Sequence, residues 1–301
     1  MKNIQILFAS LIFSVAVNAQ TKDACFYLHK ATDAYCAQKY KKVIRPLNDF
    51  IEKYPSHPLE EEAMFMKAYS CYLSGNKKVA VELFQEFLKR DNYNESDSFG
   101  INFFDCQLIA ENCRNLLIPN MLVSMQHEAA ILLFEQKLDE KNWGQAAYYL
   151  QEASDRYRLW YGCGTGDYDE DMRLASLSSK YYLAFGNKDS ALRVLLPFTL
   201  EAAAFPSQYY KPLMEQAISL LKDIYGPVEL KIMFERALSS IYYNSYDGHH
   251  STESRIYYLR LIDVDIKVSP NYLFEHNINE QEVKDYVRAT EFFKSILEET
   301  E

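Results

Sequence analysis

Apolar positions along much of this chain recur at intervals of four and then three residues, which places them on one face of an α-helix. Between Tyr40 and Pro55 the triplet is Val43, Leu47 and Phe50, and between Asn76 and Arg90 it is Ala80, Phe84 and Phe87. Ala146, Leu150 and Ala153 repeat the spacing, followed by Ala191, Leu195 and Phe198, and then by Leu230, Phe234 and Ala237. Partner helices with stripes of their own lie upstream of the triplets, marked by Ala31 and Tyr35, Ala68 and Tyr72, and Phe134 and Leu138. Two of the connecting turns read Gly-Asn-Lys, at Gly75–Lys77 and Gly186–Lys188. There a glycine is expected to end the first helix in a left-handed conformation. Tyr54-Pro55-Ser56-His57-Pro58 breaks the chain between the first and second units. The pattern predicts a succession of helical hairpins, and because one hairpin cannot bury its own apolar face, neighbours must stack.

The period changes near the C-terminus. Ile262, Val264, Ile266 and Val268 alternate with Asp263, Asp265 and Lys267, the pattern of a half-buried strand. Ile241–Tyr246 precedes the turn dipeptide Asp247-Gly248, so a β-hairpin capping the helices is expected. The competing reading is helix continuing to Tyr243 with one lone strand. Asn279–Glu282 reads as a capping box, and Val283, Tyr286, Val287 and Ile296 make a final amphipathic helix.

The triplets, with Gly75 five residues before Ala80 and Gly186 five before Ala191, resemble the tetratricopeptide repeat. The likeness is greatest to the exported variety in bacterial cell-envelope proteins. There a repeat ends in Tyr-Pro and the next opens with Glu-Ala, as at Tyr54-Pro55 and Glu62-Ala63. It is good over Asp23–Arg90, fair over Gln126–Ala203 and weak over Tyr209–Tyr243. The first two triplets are 37 residues apart, against about 34 in the family. The third begins 66 residues after the second, so Asn92–Met125 is expected to hold an extra helix or a degenerate unit.

The resemblance implies an all-α, right-handed helical-repeat solenoid over residues 20–243. A small C-terminal hairpin or strand and a final helix follow over 244–301. In the family the first helix of each pair lines the concave face that receives a ligand. The matching positions here are Tyr35, Phe65, Tyr69, Tyr72, Glu135, Arg173 and Lys180. A tyrosine-rich groove offers large contact area at modest entropy cost and suits peptides or glycans. The alternative is that these rings simply pack neighbouring helices.

Met1-Lys2-Asn3, the apolar stretch Ile4–Val17 and Asn18-Ala19-Gln20 have the form of a secretory signal peptide, with cleavage expected after Ala19. The apolar run is shorter than the roughly 18–20 residues a membrane span needs. The competing reading is a buried first helix. Export to the periplasm or beyond is expected, with no transmembrane segment in the mature chain. The formal net charge of −10, without a long basic run, disfavours nucleic acid as a partner. Apolar residues at 49%, with only 9 Gly and 9 Pro, exclude a disordered chain.

All six cysteines, Cys25, Cys36, Cys71, Cys106, Cys113 and Cys163, follow the leader. Cys25 and Cys36 share a helix face, as do Cys106 and Cys113, and neighbours so far apart along one helix cannot bond each other. Any bridges must therefore run between helices; the alternative is buried free thiols.

Candidate chemistry is sparse. Tyr161–Asp171 carries Gly162, Cys163, Gly164 and Gly166, then Asp167, Asp169 and Asp171 alternating like the start of a calcium loop. The loop pattern fails further on, where Met172 and Ser178 stand in place of the expected Gly and Glu. No lysine follows the glycines to suit phosphate, and an acidic neighbourhood opposes activation of Cys163. The bland reading is an irregular turn whose acids favour a helix start. His249-His250 lack metal-ligand spacing. No cofactor is implied. The expectation is a non-catalytic module that holds a protein, peptide or glycan in the cell envelope. The alternatives are a metal- or Cys-dependent hydrolase centred on Gly162–Asp171, and a purely structural envelope protein.

Overall fold

A computed structural model describes residues 24–57, 59–90, 124–159, 164–200, 207–246, 254–268 and 279–297. The leader, Cys106, Cys113, Cys163 and the histidine pair at 249–250 lie outside the described residues. The described residues are mostly helical, with one small antiparallel sheet. They belong to two compact units, one ending at Leu159 and the other beginning at Trp160. Among them no helix is long and apolar enough to cross a membrane.

The first unit contains α1 (24–36), α2 (Tyr40–Lys53), α3 (Glu60–Leu73), α4 (Lys77–Lys89), α5 (Met125–Asp139) and α6 (Trp143–Gln151). Val43, Leu47 and Phe50 of α2 are fully buried against Ala24, Leu28, Ala31 and Tyr35 of α1. Ala63 and Met66 of α3 join the same cluster, so the face left open by the first hairpin is covered by the second. The second triplet, Ala80, Phe84 and Phe87, is buried as α4 packs on α3 and α5. Glu60 ties the inter-hairpin turn to the end of α4. Its carboxylate accepts from the Ser56 amide at 2.6 Å and from Arg90 Nη1 at 2.7 Å.

Four turns end their helices with one hydrogen-bond pair. Gln38 N–H donates to Tyr35 O at 2.8 Å and Lys39 N–H to Ala34 O at 2.8 Å. Gly75 and Asn76 bond Tyr72 O and Cys71 O, Lys141 and Asn142 bond Leu138 O and Lys137 O, and Gly186 and Asn187 bond Leu183 O and Tyr182 O. These three-back and five-back bonds are the Schellman termination, which requires a left-handed residue. The φ angles are 54° at Gln38, 82° at Gly75, 57° at Lys141 and 82° at Gly186. Five positions beyond each stands a fully buried residue, Val43, Ala80, Ala146 or Ala191. Turn and core are thus in fixed register four times over.

α6 runs into a single π-turn, Glu152–Arg156, closed by the Tyr157 amide on Glu152 O at 2.8 Å. His127 of α5 is fully buried beneath it, with Nδ1 at 3.1 Å from Ala153 O and 3.0 Å from Tyr157 O. Two carbonyl acceptors on one ring nitrogen assign the proton to Nδ1. In the third triplet Leu150 is only half-buried, and Tyr149 takes the deeper position.

The second unit contains α7 (Gly164–Ala184), α8 (Lys188–Leu195) with a 3₁₀ turn at Leu196–Phe198, α9 (Tyr210–Ile224) and α10 (Pro227–Ser239). The strands β1 (Tyr242–Tyr246), β2 (Ser254–Leu261) and β3 (Val264–Val268) follow, then α11 (Glu280–Ala289) and α12 (Glu291–Leu297). The strands form a meander in the order β1-β2-β3, with Tyr242 opposite Tyr258 and Leu259 opposite Ile266. One sheet face, with Leu259, Leu261, Ile266 and Val268, joins a single core with Leu192, Leu195, Leu221 and Phe234. The rings of Phe292 and Phe293 lie 5.8 and 4.5 Å from that of Phe234, which docks α12 on α10. Strands and helices of this unit share one core. Asn279 and Glu282 form the expected capping box at the start of α11.

Ile262 departs from the expected strand. It and Asp263 occupy the two-residue turn between β2 and β3, at φ 53° and 59°. Such a turn is normally built from Asn and Gly, and a β-branched residue at positive φ is strained. Arg193 of α8 supports it, donating from Nη1 to Ile262 O at 2.7 Å while its Nε bonds Asp189 at 2.7 Å.

The turn register generates a direct test. A Cβ at Gly75 or Gly186 meets nothing within 4 Å, so its cost is that of the left-handed backbone alone. Gly75→Ala and Gly186→Ala should each lower the unfolding free energy by about 1 kcal/mol. Gln38→Gly and Lys141→Gly should raise it by about 0.5 kcal/mol, because relief of left-handed strain outweighs the entropy of an added glycine. Urea midpoints at constant slope measure both, and a loss in all four variants contradicts the shared geometry.

Candidate binding surface

In the first unit α3 and the neighbouring first helix α5 carry an aromatic and acidic surface. Its centre is on α3, where Tyr69 and Tyr72 are half-buried and follow Phe65 at helical spacing. The Phe65 and Tyr69 rings are 6.0 Å apart and within 12° of parallel; those of Tyr69 and Tyr72 are 6.3 Å apart and within 5°. At the far end the Lys77 ammonium sits 5.9 Å from the centroid of Tyr72 and 3.6 Å from the Asp139 carboxylate. Burial pushes the Tyr69 hydroxyl above its ordinary range, and the nearby Glu128 of α5, Tyr72 and Tyr40 add to the shift. The aromatic row therefore lies within the field of the carboxylate on the neighbouring first helix.

The seven positions matched to a concave face divide into three groups. Tyr69, Tyr72 and Glu135 reach the surface of the first unit, all half-buried. Tyr35 and Phe65 do not, at 3% and 5% exposure. Tyr35 meets the Tyr40 ring edge-on at 5.3 Å inside the α1–α3 core. Phe65 is enclosed by Phe84 and Phe87 at 5.8 and 5.9 Å. For these two residues, packing between helices is the role the structure gives. Arg173 and Lys180 belong to the second unit, on α7, where Arg173 lies 3.8 Å from the buried Glu170 and Lys180 is exposed. Glu128, Lys77 and Asp139 escaped the sequence reading. Glu128 precedes Glu135 by seven residues on one stripe of α5, and that spacing was the available signal.

The acidic segment is not the loop that its glycines suggest. From Gly164 onward it is helix, with Asp167 in the first turn of α7. Residues two apart on a helix point about 200° apart. Asp167 and Asp169 therefore diverge, and Asp169 and Asp171 do too, whereas the acids of a calcium loop converge on one ion. Among the described residues no group of three or more His, Cys, Asp or Glu side chains is placed to hold a metal ion. Cys71, on α3, is a free thiol whose pKa is raised by burial, with Lys67 opposing. Cys25 and Cys36, both on α1, are engaged rather than free.

No protein-family model matches this chain, and no curated protein matches it significantly.

Burial raises the Tyr35 hydroxyl far above the ordinary tyrosine range, with Tyr69 and Tyr40 contributing. In the unfolded chain this group ionises near pH ~10. Its contribution to stability is thus complete below that pH and declines as pH climbs toward the folded value. Tyr35→Phe should flatten the loss of stability between about pH 10 and 11.5, as followed by urea unfolding. An unchanged slope contradicts the buried placement.

Proposed function

We propose that this chain is a non-catalytic binding module, a tetratricopeptide-like array of hairpins stacked as a right-handed solenoid, which holds a protein or peptide partner in the cell envelope. The observation that carries the reading is the parallel Tyr69–Tyr72 pair, half-buried on a first helix with Glu128 on one side and Lys77 on the other. Large rigid rings with polar tips provide contact area with few rotors to immobilise, and such residues dominate binding energy at protein surfaces. The fourfold recurrence of one turn in one register supports the repeat architecture. The leader pattern at Met1–Ala19 supports export.

In-cell crosslinking of the tagged chain, followed by recovery from the envelope fraction and mass spectrometry, tests the reading. One dominant partner should be captured by the natural chain and reduced about tenfold or more by Tyr69→Ala/Tyr72→Ala, the loss expected when two anchor rings are removed. Equal capture by the doubly substituted chain, with its helical circular dichroism retained, would refute the assignment.

A further inference from the structure

A groove of about 400 Å³ lies between α4 and α6, the second helices of neighbouring hairpins, and extends to the π-turn after α6. It is separate from the Tyr69–Tyr72 row on α3 and owes nothing to that reading. Gln85 and Lys89 of α4, Gln145 and Tyr148 of α6, and Glu152 and Arg156 of the π-turn line it.

Three independent features meet here. Tyr148 is 51% exposed, a large ring facing solvent. Tyr149 meets it edge-on at 5.1 Å and 68°, and burial, with the nearby charge of Glu152 adding to it, raises the pKa of the Tyr148 hydroxyl. Second, the π-turn supplies two of the polar walls. A π-turn inserts one residue into a helix and redirects side chains, and such turns concentrate at functional sites. Here it sets the Glu152 carboxylate 3.5 Å from the Arg156 guanidinium, and the buried His127 holds it from behind. Third, Gln85 Nε2 donates to the Tyr149 hydroxyl at 3.0 Å, which leaves that hydroxyl's own proton to be given elsewhere.

We infer that this groove is a carbohydrate-binding site for a pyranose ring. A pyranose presents an apolar C–H face and a rim of hydroxyls that each donate and accept. The groove matches both, with one exposed aromatic face and with side-chain amides, a carboxylate and a guanidinium spaced along its walls. The Arg156 guanidinium faces the Glu152 carboxylate at 3.5 Å, so of the charged lining residues Lys89 is left to attract an anion, short of the converging cations that phosphate needs. An apolar ligand would strip water from the amides and the charged pair without replacing its hydrogen bonds. The volume falls within the range of about 300–1,000 Å³ usual for small-ligand sites.

Saturation-transfer NMR and titration calorimetry of the full chain with maltose, cellobiose and N,N′-diacetylchitobiose test this. At least one disaccharide should receive saturation on its ring C–H protons. Tyr148→Ala should weaken its binding about tenfold and Gln145→Ala about threefold. Both side chains are exposed, so circular dichroism and melting should remain those of the natural chain. The inference is overturned if no disaccharide binds, or if binding is indifferent to both substitutions. Inorganic phosphate bound in dependence on Lys89 and Arg156 would overturn it as well, by making the groove an anion site.

Discussion

Helices shorter than about 12–15 residues are marginal in water, because nucleation costs more than a few propagating bonds return. Most helices here lie in or below that range, from 7 residues in α12 to 15 in α5. What holds them is burial of one stripe, and burial works only if the stripe faces inward when the chain has reversed direction. The left-handed turn residue meets this demand by fixing the first buried position of the next helix five residues on. Hairpin geometry, the seating of α3 against α1 and α2, and the placement of Tyr69 at the surface all follow from that register.

That constraint also decides what sequence could reveal. Apolar triplets are repetitive and chemically plain, so helices were legible from spacing alone, and every triplet position is buried except Leu150 and Phe198, which are half-buried. Gly75 and Gly186 announced their turns because glycine is the residue left-handed backbone prefers. Gln38 and Lys141 adopt the same conformation with no such mark. Their turns are held by the two backbone bonds and the packing beyond them, forces that leave no signature in residue type. Ile262 misled for the same reason: its side chain suits a strand, yet pairing of Leu261 with Val264 leaves it the turn.

The surface was less legible than the core. Helical periodicity puts Phe65, Tyr69 and Tyr72 on one stripe of α3 but cannot separate the two half-buried tyrosines from Phe65, which lies one turn earlier and is enclosed by α4. Glu128 comes near Tyr69, and Asp139 near Lys77, only because α5 lies beside α3 and α4, a proximity without local trace in the chain. In the Gly164–Ala184 segment, composition spoke for a loop, whereas the helix takes its glycines at the N-terminus and tolerates acids there through the macrodipole.

The π-turn after α6 has a consequence for the length of the chain itself. A helix that closes one bond over five residues instead of four holds a surplus residue without lengthening by a full turn. Glu152–Arg156 is therefore a place where the polypeptide count and the spatial path are decoupled. Loss of one residue there is absorbed by reverting to ordinary α geometry, whereas a deletion within α2 or α4 rotates every later side chain by about 100°. The segment is a natural point for the chain to lose a single residue while the hairpins before it keep their packing.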